Sequence, residues 1–184
     1  MKAVSNAQSS MESRVGVALL VIDVQLGLFT KSAPIYRADQ LLQNIKSLVD
    51  RAHRAGIPVV YVQHANQRML VEGSDGWQLH AQLHPTEDDI CIQKRHSNAF
   101  EDTPLEEELK SRGVGRVIVA GLVSHGCVKS TCLGAKELGY RVTLAGDAHS
   151  SFSKDAARLI DESNEELAHG VADVRATQDI EMQG

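Results

Sequence analysis

Three side chains of complementary chemistry follow apolar segments that lie far apart in the chain. Asp23 comes directly after VALLVI (residues 17–22), Lys94 directly after ICIQ (90–93), and Cys127 sits in GLVSHGCV, shortly after VIVA (117–120). Together they would suit nucleophilic catalysis. A thiolate attacks, a carboxylate takes the thiol proton and returns it to a leaving group, and a nearby cation or helix start favours the thiolate. Gly121 and Gly126 bracket the Cys127 segment; glycines permit a sharp strand-to-helix turn and a close backbone approach. Amides at such a helix start can hold a developing oxyanion. Each residue also has a plain structural reading. Asp after a strand is a common helix cap, Lys there is ordinarily solvated, and Cys near a helix start packs as a small hydrophobe. The chemical reading requires a fold that brings all three to one edge.

The pattern of elements predicts such a fold. VALLVI is a continuous apolar run rich in branched residues, the mark of a strand buried on both faces. Asp39 precedes Leu41, Leu42, Ile45, Leu48, Val49 and Ala52 at helical spacing, and Gly56 closes that helix. Strands follow at PVVYV (58–62) and ICIQ (90–93), separated by a long irregular stretch, 63–89, that holds His64, Trp77, His80 and His84. A stretch of that kind is often a functional loop. Thr103, Pro104, Leu105 and Glu106 read as a capping box opening a helix that stops at Gly113. VIVA is a fourth strand, followed by a helix from about Cys127 to Leu138 that closes at Gly139. RVTL (141–144), a helix over 154–169 ending at Gly170, and a strand over 171–176 complete the order. Alternating strands and helices imply a doubly wound three-layer α/β/α sandwich with a mainly parallel six-stranded sheet. In such sheets ligands bind outside the carboxyl ends of the strands, where Asp23, Lys94 and Cys127 all fall. Cys91, inside a strand, and Cys132, in mid-helix, read as core thiols.

Composition narrows the function classes. The 184 residues fit one domain, expected over 15–184 after a flexible polar tail at 1–14. A formal net charge of -5 leaves no basic footprint for nucleic acid and no polybasic membrane patch. No apolar run approaches the ~20 residues of a membrane span, and the first residues carry no apolar core of a secretory signal. Three cysteines without C-x-x-C spacing suggest free thiols in a reducing compartment. A cytoplasmic protein with a small-molecule substrate is expected.

The segments ALLVIDVQ, KRHSNAF and VIVAGLVSHGCVKST, with GAKELGY and AGDAHSSF downstream, resemble the isochorismatase-like cysteine hydrolases over nearly the whole chain. The resemblance implies an Asp-Lys-Cys triad at Asp23, Lys94 and Cys127. It implies a cis peptide bond between Leu122 and Val123, and an oxyanion hole from the amides of Val123 and Cys127. It also implies a homo-oligomer, dimer or larger. The family's nicotinamidases carry an Asp-x-His metal motif after the second strand. Here VQHANQ places Gln63 where an acidic ligand is wanted, which argues against that metal-dependent type, and no metal or cofactor is expected. His64, Trp77 and His125 are the expected substrate contacts. The activity implied is cleavage of a C–N bond in a small amide, ureido or carbamoyl compound through a thioester. The alternatives are vinyl ether hydrolysis of the isochorismatase type and a non-catalytic binding domain of the same fold.

Overall fold

A computed structural model describes residues 16–183; the expected tail lies outside them. Six parallel strands form one sheet in the order β3-β2-β1-β4-β5-β6. They are β1 (Gly16–Ile22), β2 (Val59–His64), β3 (Ile90–Lys94), β4 (Val114–Leu122), β5 (Arg141–Ser150) and β6 (Asp173–Arg175). The helices are α1 (Leu26–Phe29), α2 (Ala38–Ala55), α3 (Leu105–Ser111), α4 (Lys129–Glu137) and α5 (Ala156–Ala168). The architecture is the doubly wound three-layer sandwich. No helix among the described residues is long and apolar enough to cross a membrane.

The period of two along β1 explains the layering. Val17, Leu19 and Val21 join the core that contains Leu41, Leu42, Ile45, Leu48 and Val49 of α2. Ala18, Leu20 and Ile22 join the opposite core, with Leu105 and Leu109 of α3, Cys132 and Ala135 of α4 and Leu167 of α5. A strand apolar at every position therefore has a helical layer on each side, which is why VALLVI shows no alternation.

The boundaries differ from the sequence reading where polar residues continue an element. β5 runs on through Gly146, Asp147 and His149 beyond its apolar start, with a register shift against β4 between Val119 and Gly121. β6 is shorter than expected, and α1 was not foreseen. α4 begins only at Lys129. Before it, Ser124–Val128 form a wide turn in which Gly126 leaves helical geometry (φ -118°, ψ -112°). Cys127 thus lies in that turn and not in the first turn of α4.

The chain order reverses between β1 and β4, where the first strand's two neighbours lead away in opposite directions. This switch point depends on Gly121. It lies in β4 opposite Ile22, at φ 125°, and a Cβ there would meet the Ile22 carbonyl oxygen at 2.1 Å. Of the two roles expected of this glycine, a sharp turn and a close backbone approach, it serves the second, since it lies within β4. Gly56, at φ 66° after α2, faces open space. Gly121→Ala is expected to cost roughly 3 kcal/mol or more, against roughly 1 kcal/mol for Gly56→Ala. Urea unfolding of the two variants beside the parent measures the difference; equal midpoints would contradict the assigned role.

Candidate active site

β1, β2 and β3 end side by side: Ile22 pairs with Val62, and His64 with Lys94. Asp23 then turns out of β1 at φ 52°, a left-handed conformation uncommon for a residue with a side chain. Its amide donates to the Val62 carbonyl at 2.9 Å, and its carbonyl accepts from the Gln25 amide at 2.9 Å. This local fold leaves the carboxyl over the sheet edge, buried.

Lys94 is the last residue of β3, and its side chain is fully buried. Nζ lies 2.9 Å from Asp23 Oδ2, 3.0 Å from His64 Nδ1, 3.1 Å from the His96 carbonyl and 3.2 Å from Cys127 Sγ. The three residues read from sequence as reactive are therefore brought together, with Lys94 touching both others. The segment after Lys94 is clamped to α4. The Ala99 amide donates to Thr131 Oγ1 at 3.1 Å, and Asn98 fills the notch at Gly134, where a Cβ would come within 2.4 Å of it. KRHSNAF thus reads as one lysine and the anchor that holds it.

The electrostatics correct one expectation. Burial raises the Asp23 carboxyl above its usual range, with the Lys94 charge opposing. Burial also pushes the Cys127 thiol up to about 11, and the negative charge of Asp23 adds to this, against Lys94. At rest Cys127 is a thiol, not the stabilised thiolate expected from a helix start and a cation. It lies beside a carboxyl group: Asp23 Oδ1 is buried without a hydrogen-bond partner among the described residues, and Cys127 Sγ is within 4.8 Å of an Asp23 oxygen. Of the other thiols, Cys132 is buried in α4 and pushed up to about 12 by that burial. Cys91 is exposed, contrary to its reading as a core thiol, because β3 is an edge strand.

Asp23, His64 and Cys127 each offer a metal-type ligand atom within 4.8 Å of the others. The place between them is bridged by the Lys94 amino group, which bonds to all three. A divalent cation there would meet a like charge in a buried site, so these residues do not fit a metal. Gln63, at the position where an acidic ligand was wanted, donates from Nε2 to the Trp77 carbonyl at 2.9 Å.

The expected pocket residues separate. His64 is in the cluster; burial lowers it, and so does the Lys94 charge, so its imidazole is neutral and Nδ1 accepts. His125 is exposed in the turn beside Cys127. Trp77 closes a short 3-10 turn (Asp75–Trp77) and packs half-buried against the α2-side core. What reaches the strand ends is its carbonyl, held by Gln63 and by Gln25.

Gln25 was not singled out from sequence. It is fully buried, accepts the His64 amide at 2.9 Å, and donates to the His64 and Trp77 carbonyls at 3.0 and 2.8 Å. It ties the end of β2 and the Trp77 turn to the end of β1. The polar residue two places after Asp23 was its only trace. Ser124 and His149 were also passed over. Both are buried and joined at 2.8 Å behind the Cys127 turn, in which the peptide bond between Leu122 and Val123 is cis.

Comparison with known proteins gives the family. Residues 17–179 match the family model for the isochorismatase domain. A streptothricin hydrolase of Streptomyces noursei is 33% identical over 85% of the chain, and the chain spans 63% of that protein's length. Nicotinamidase 3 of Arabidopsis thaliana is 28% identical over 75% of the chain and 75% of its own. The crystal structure of an isochorismatase from Pseudomonas putida KT2440 superposes with a TM-score of 0.83, covering 90% of each chain at 30% identity. The matched family model runs from β1 past β6, over most of the chain, and the chain belongs to the isochorismatase family.

Proposed function

We propose that the protein is a hydrolase that cleaves a C–N bond in a small amide, ureido or carbamoyl compound through a thioester on Cys127. The observation that carries this reading is the Lys94 amino group touching Asp23 and Cys127 at once, beside a buried carboxylate oxygen without a partner. A thiol pushed up to about 11 cannot act unaided near neutral pH, and a base adjacent to it supplies what it lacks. The similarity to a streptothricin hydrolase and a nicotinamidase supports hydrolysis.

In this reading Cys127 Sγ attacks the substrate carbonyl carbon as its proton passes to Asp23. The amides of Val123 and Cys127 hold the oxyanion. The tetrahedral adduct collapses, the C–N bond breaks, and Asp23 gives its proton to the departing nitrogen. Water, losing a proton to Asp23, then attacks the thioester and the thiol is restored. Lys94 supports the carboxylate before proton transfer and the thiolate after it. His64 and His125 contact the substrate beside the thiol, and Trp77, whose carbonyl Gln25 and Gln63 hold, does so from the segment after β2. Vinyl ether hydrolysis needs the acid but no nucleophile, so it would leave the Lys94–Cys127 contact without a use.

Cys127→Ala is expected to lower turnover by roughly 10⁴-fold or more while the fold is kept. Ammonia release across a panel of amides, ureides and carbamoyl compounds identifies the substrate. Mass spectrometry of the quenched parent should then find its acyl group on Cys127. A Cys127→Ala variant that turns over at the parental rate would overturn the thioester.

Asp23→Asn has two expected effects of opposite sign. Removing the neighbouring negative charge brings the Cys127 thiol pKa down from about 11, so ultraviolet thiolate absorbance appears at lower pH. Turnover nevertheless falls by roughly 10²- to 10⁴-fold, because the proton acceptor is gone. In the parent, activity rises with pH as Asp23 loses its proton. Because burial raises that carboxyl, the acid limb lies above the ordinary carboxylate range. An acid limb at or below pH 3.8 would contradict the assignment.

A further inference from the structure

The Cys127 turn is held from behind by groups that take no part in the chemistry just described. Ser124 is fully buried, and its Oγ lies 2.8 Å from His149 Nδ1. His149 Nε2 lies 2.9 Å from Asn164 Oδ1, and Asn164 Nδ2 lies 3.1 Å from the Gly146 carbonyl. The direction of this chain can be worked out from its far end. A backbone carbonyl only accepts, so the Asn164 amide must present Nδ2 to Gly146 and Oδ1 to His149. Oδ1 also only accepts, so His149 carries its proton on Nε2 and leaves Nδ1 bare. Ser124 must then be the donor to Nδ1. Burial lowers His149, which keeps the ring neutral and this polarity intact. Gly146 leaves room for Asn164, whose side chain would lie 3.3 Å from a Cβ placed there.

The chain crosses three elements. Ser124 opens the catalytic turn, His149 lies in β5, one residue from its end, and Asn164 is in α5. Ser124 also stands between the two amides assigned to the oxyanion. Its neighbour Val123 accepts at its carbonyl from the Gly126 and Val128 amides at 3.0 and 3.3 Å, which closes the turn on itself but ties it to nothing outside. The bond from Ser124 to His149 fixes the turn relative to the sheet. Ser124 beside a histidine has the look of a second nucleophile, yet its complete burial denies it to substrate.

We infer that Ser124, His149 and Asn164 form a one-way chain of hydrogen bonds that positions the oxyanion turn, making His149 a positioning residue for acyl transfer. This rests on the thiol reading above. Loss of the chain lets Val123 and Cys127 shift relative to each other, which slows a step that needs both amides and leaves the thiol's access unchanged.

Two reagents separate these effects in the full-length protein. p-Nitrophenyl acetate acylates a thiol through a tetrahedral adduct and uses the oxyanion hole. Iodoacetamide alkylates by direct displacement and does not. In His149→Leu and in Ser124→Ala, Cys127 acylation is expected to fall roughly 10- to 100-fold while its alkylation stays at the parental rate. His149→Asn, which keeps an acceptor near the Nδ1 position, should recover much of the acylation rate. Imidazole nitrogen NMR of the parent at neutral pH should show Nδ1 bare and Nε2 protonated. If His149→Leu does not fold, Ser124→Ala carries the same comparison. Equal acylation of Cys127 in parent and variants overturns this inference alone. A proportional loss of acylation and alkylation also overturns it, since that marks general loosening. A parent that is not acylated on Cys127 overturns the thiol reading and this inference with it.

Discussion

The buried amino group of Lys94 sets the terms for the rest of the site. Taking such a charge out of water costs several kcal/mol unless partners replace its hydration. Here four acceptors surround it: Asp23 Oδ2, His64 Nδ1, the His96 carbonyl and Cys127 Sγ. An ammonium has three protons, so four acceptors share them, the Cys127 sulfur at 3.2 Å among them. In the proposed thioester route, negative charge arriving on sulfur would strengthen that contact with no movement of the backbone.

Bringing those acceptors together forces the backbone into shapes that few residues accept. Asp23 leaves β1 in a left-handed conformation, and Gly121 allows β4 to press against Ile22 at the switch point. Gly126 breaks the turn that carries Cys127, and Gly134 opens a notch for the segment that anchors Lys94. These features sit at or beside the carboxyl end of the sheet. Strain and close contact are concentrated where substrate would meet the protein, held by a core packed on both faces of β1.

Much of this was legible in the sequence. Apolar runs without alternation announced buried parallel strands, and the helices carried a period of 3.6 and their closing glycines. The capping box read at residues 103–106, however, does not form: Pro104 is the N-cap of α3 and no side chain caps it. The three candidate residues were visible because Asp23 and Lys94 directly follow apolar runs and Cys127 lies in the glycine-flanked segment after another. What escaped was polar structure whose partners are remote in sequence. Gln25 acts on residues 39 and 52 positions away, and His149 acts on Ser124, 25 positions away. A single amide or imidazole in an alternating chain looks like surface until its partner is in place. The charge state of Cys127 escaped for a related reason. A nearby lysine and a helix start both argue for a thiolate, but burial and the carboxylate, which act only in three dimensions, outweigh them. Cys91 was misread because sequence does not say which strand lies at the edge of the sheet.

That edge has a consequence for how the protein would fail. β3 pairs with β2 alone, and five residues make up its whole length. Hydrogen-bonded on one side only, it belongs to the part of a sheet that opens most readily in local fluctuations, well below the free energy of global unfolding. Lys94 is its final residue. Detachment of this one strand would carry the cation away from Asp23 and Cys127 while the central four strands stayed packed. Heat or denaturant would then silence the chemistry before the fold is lost, and the loss would be reversible wherever β3 can re-dock.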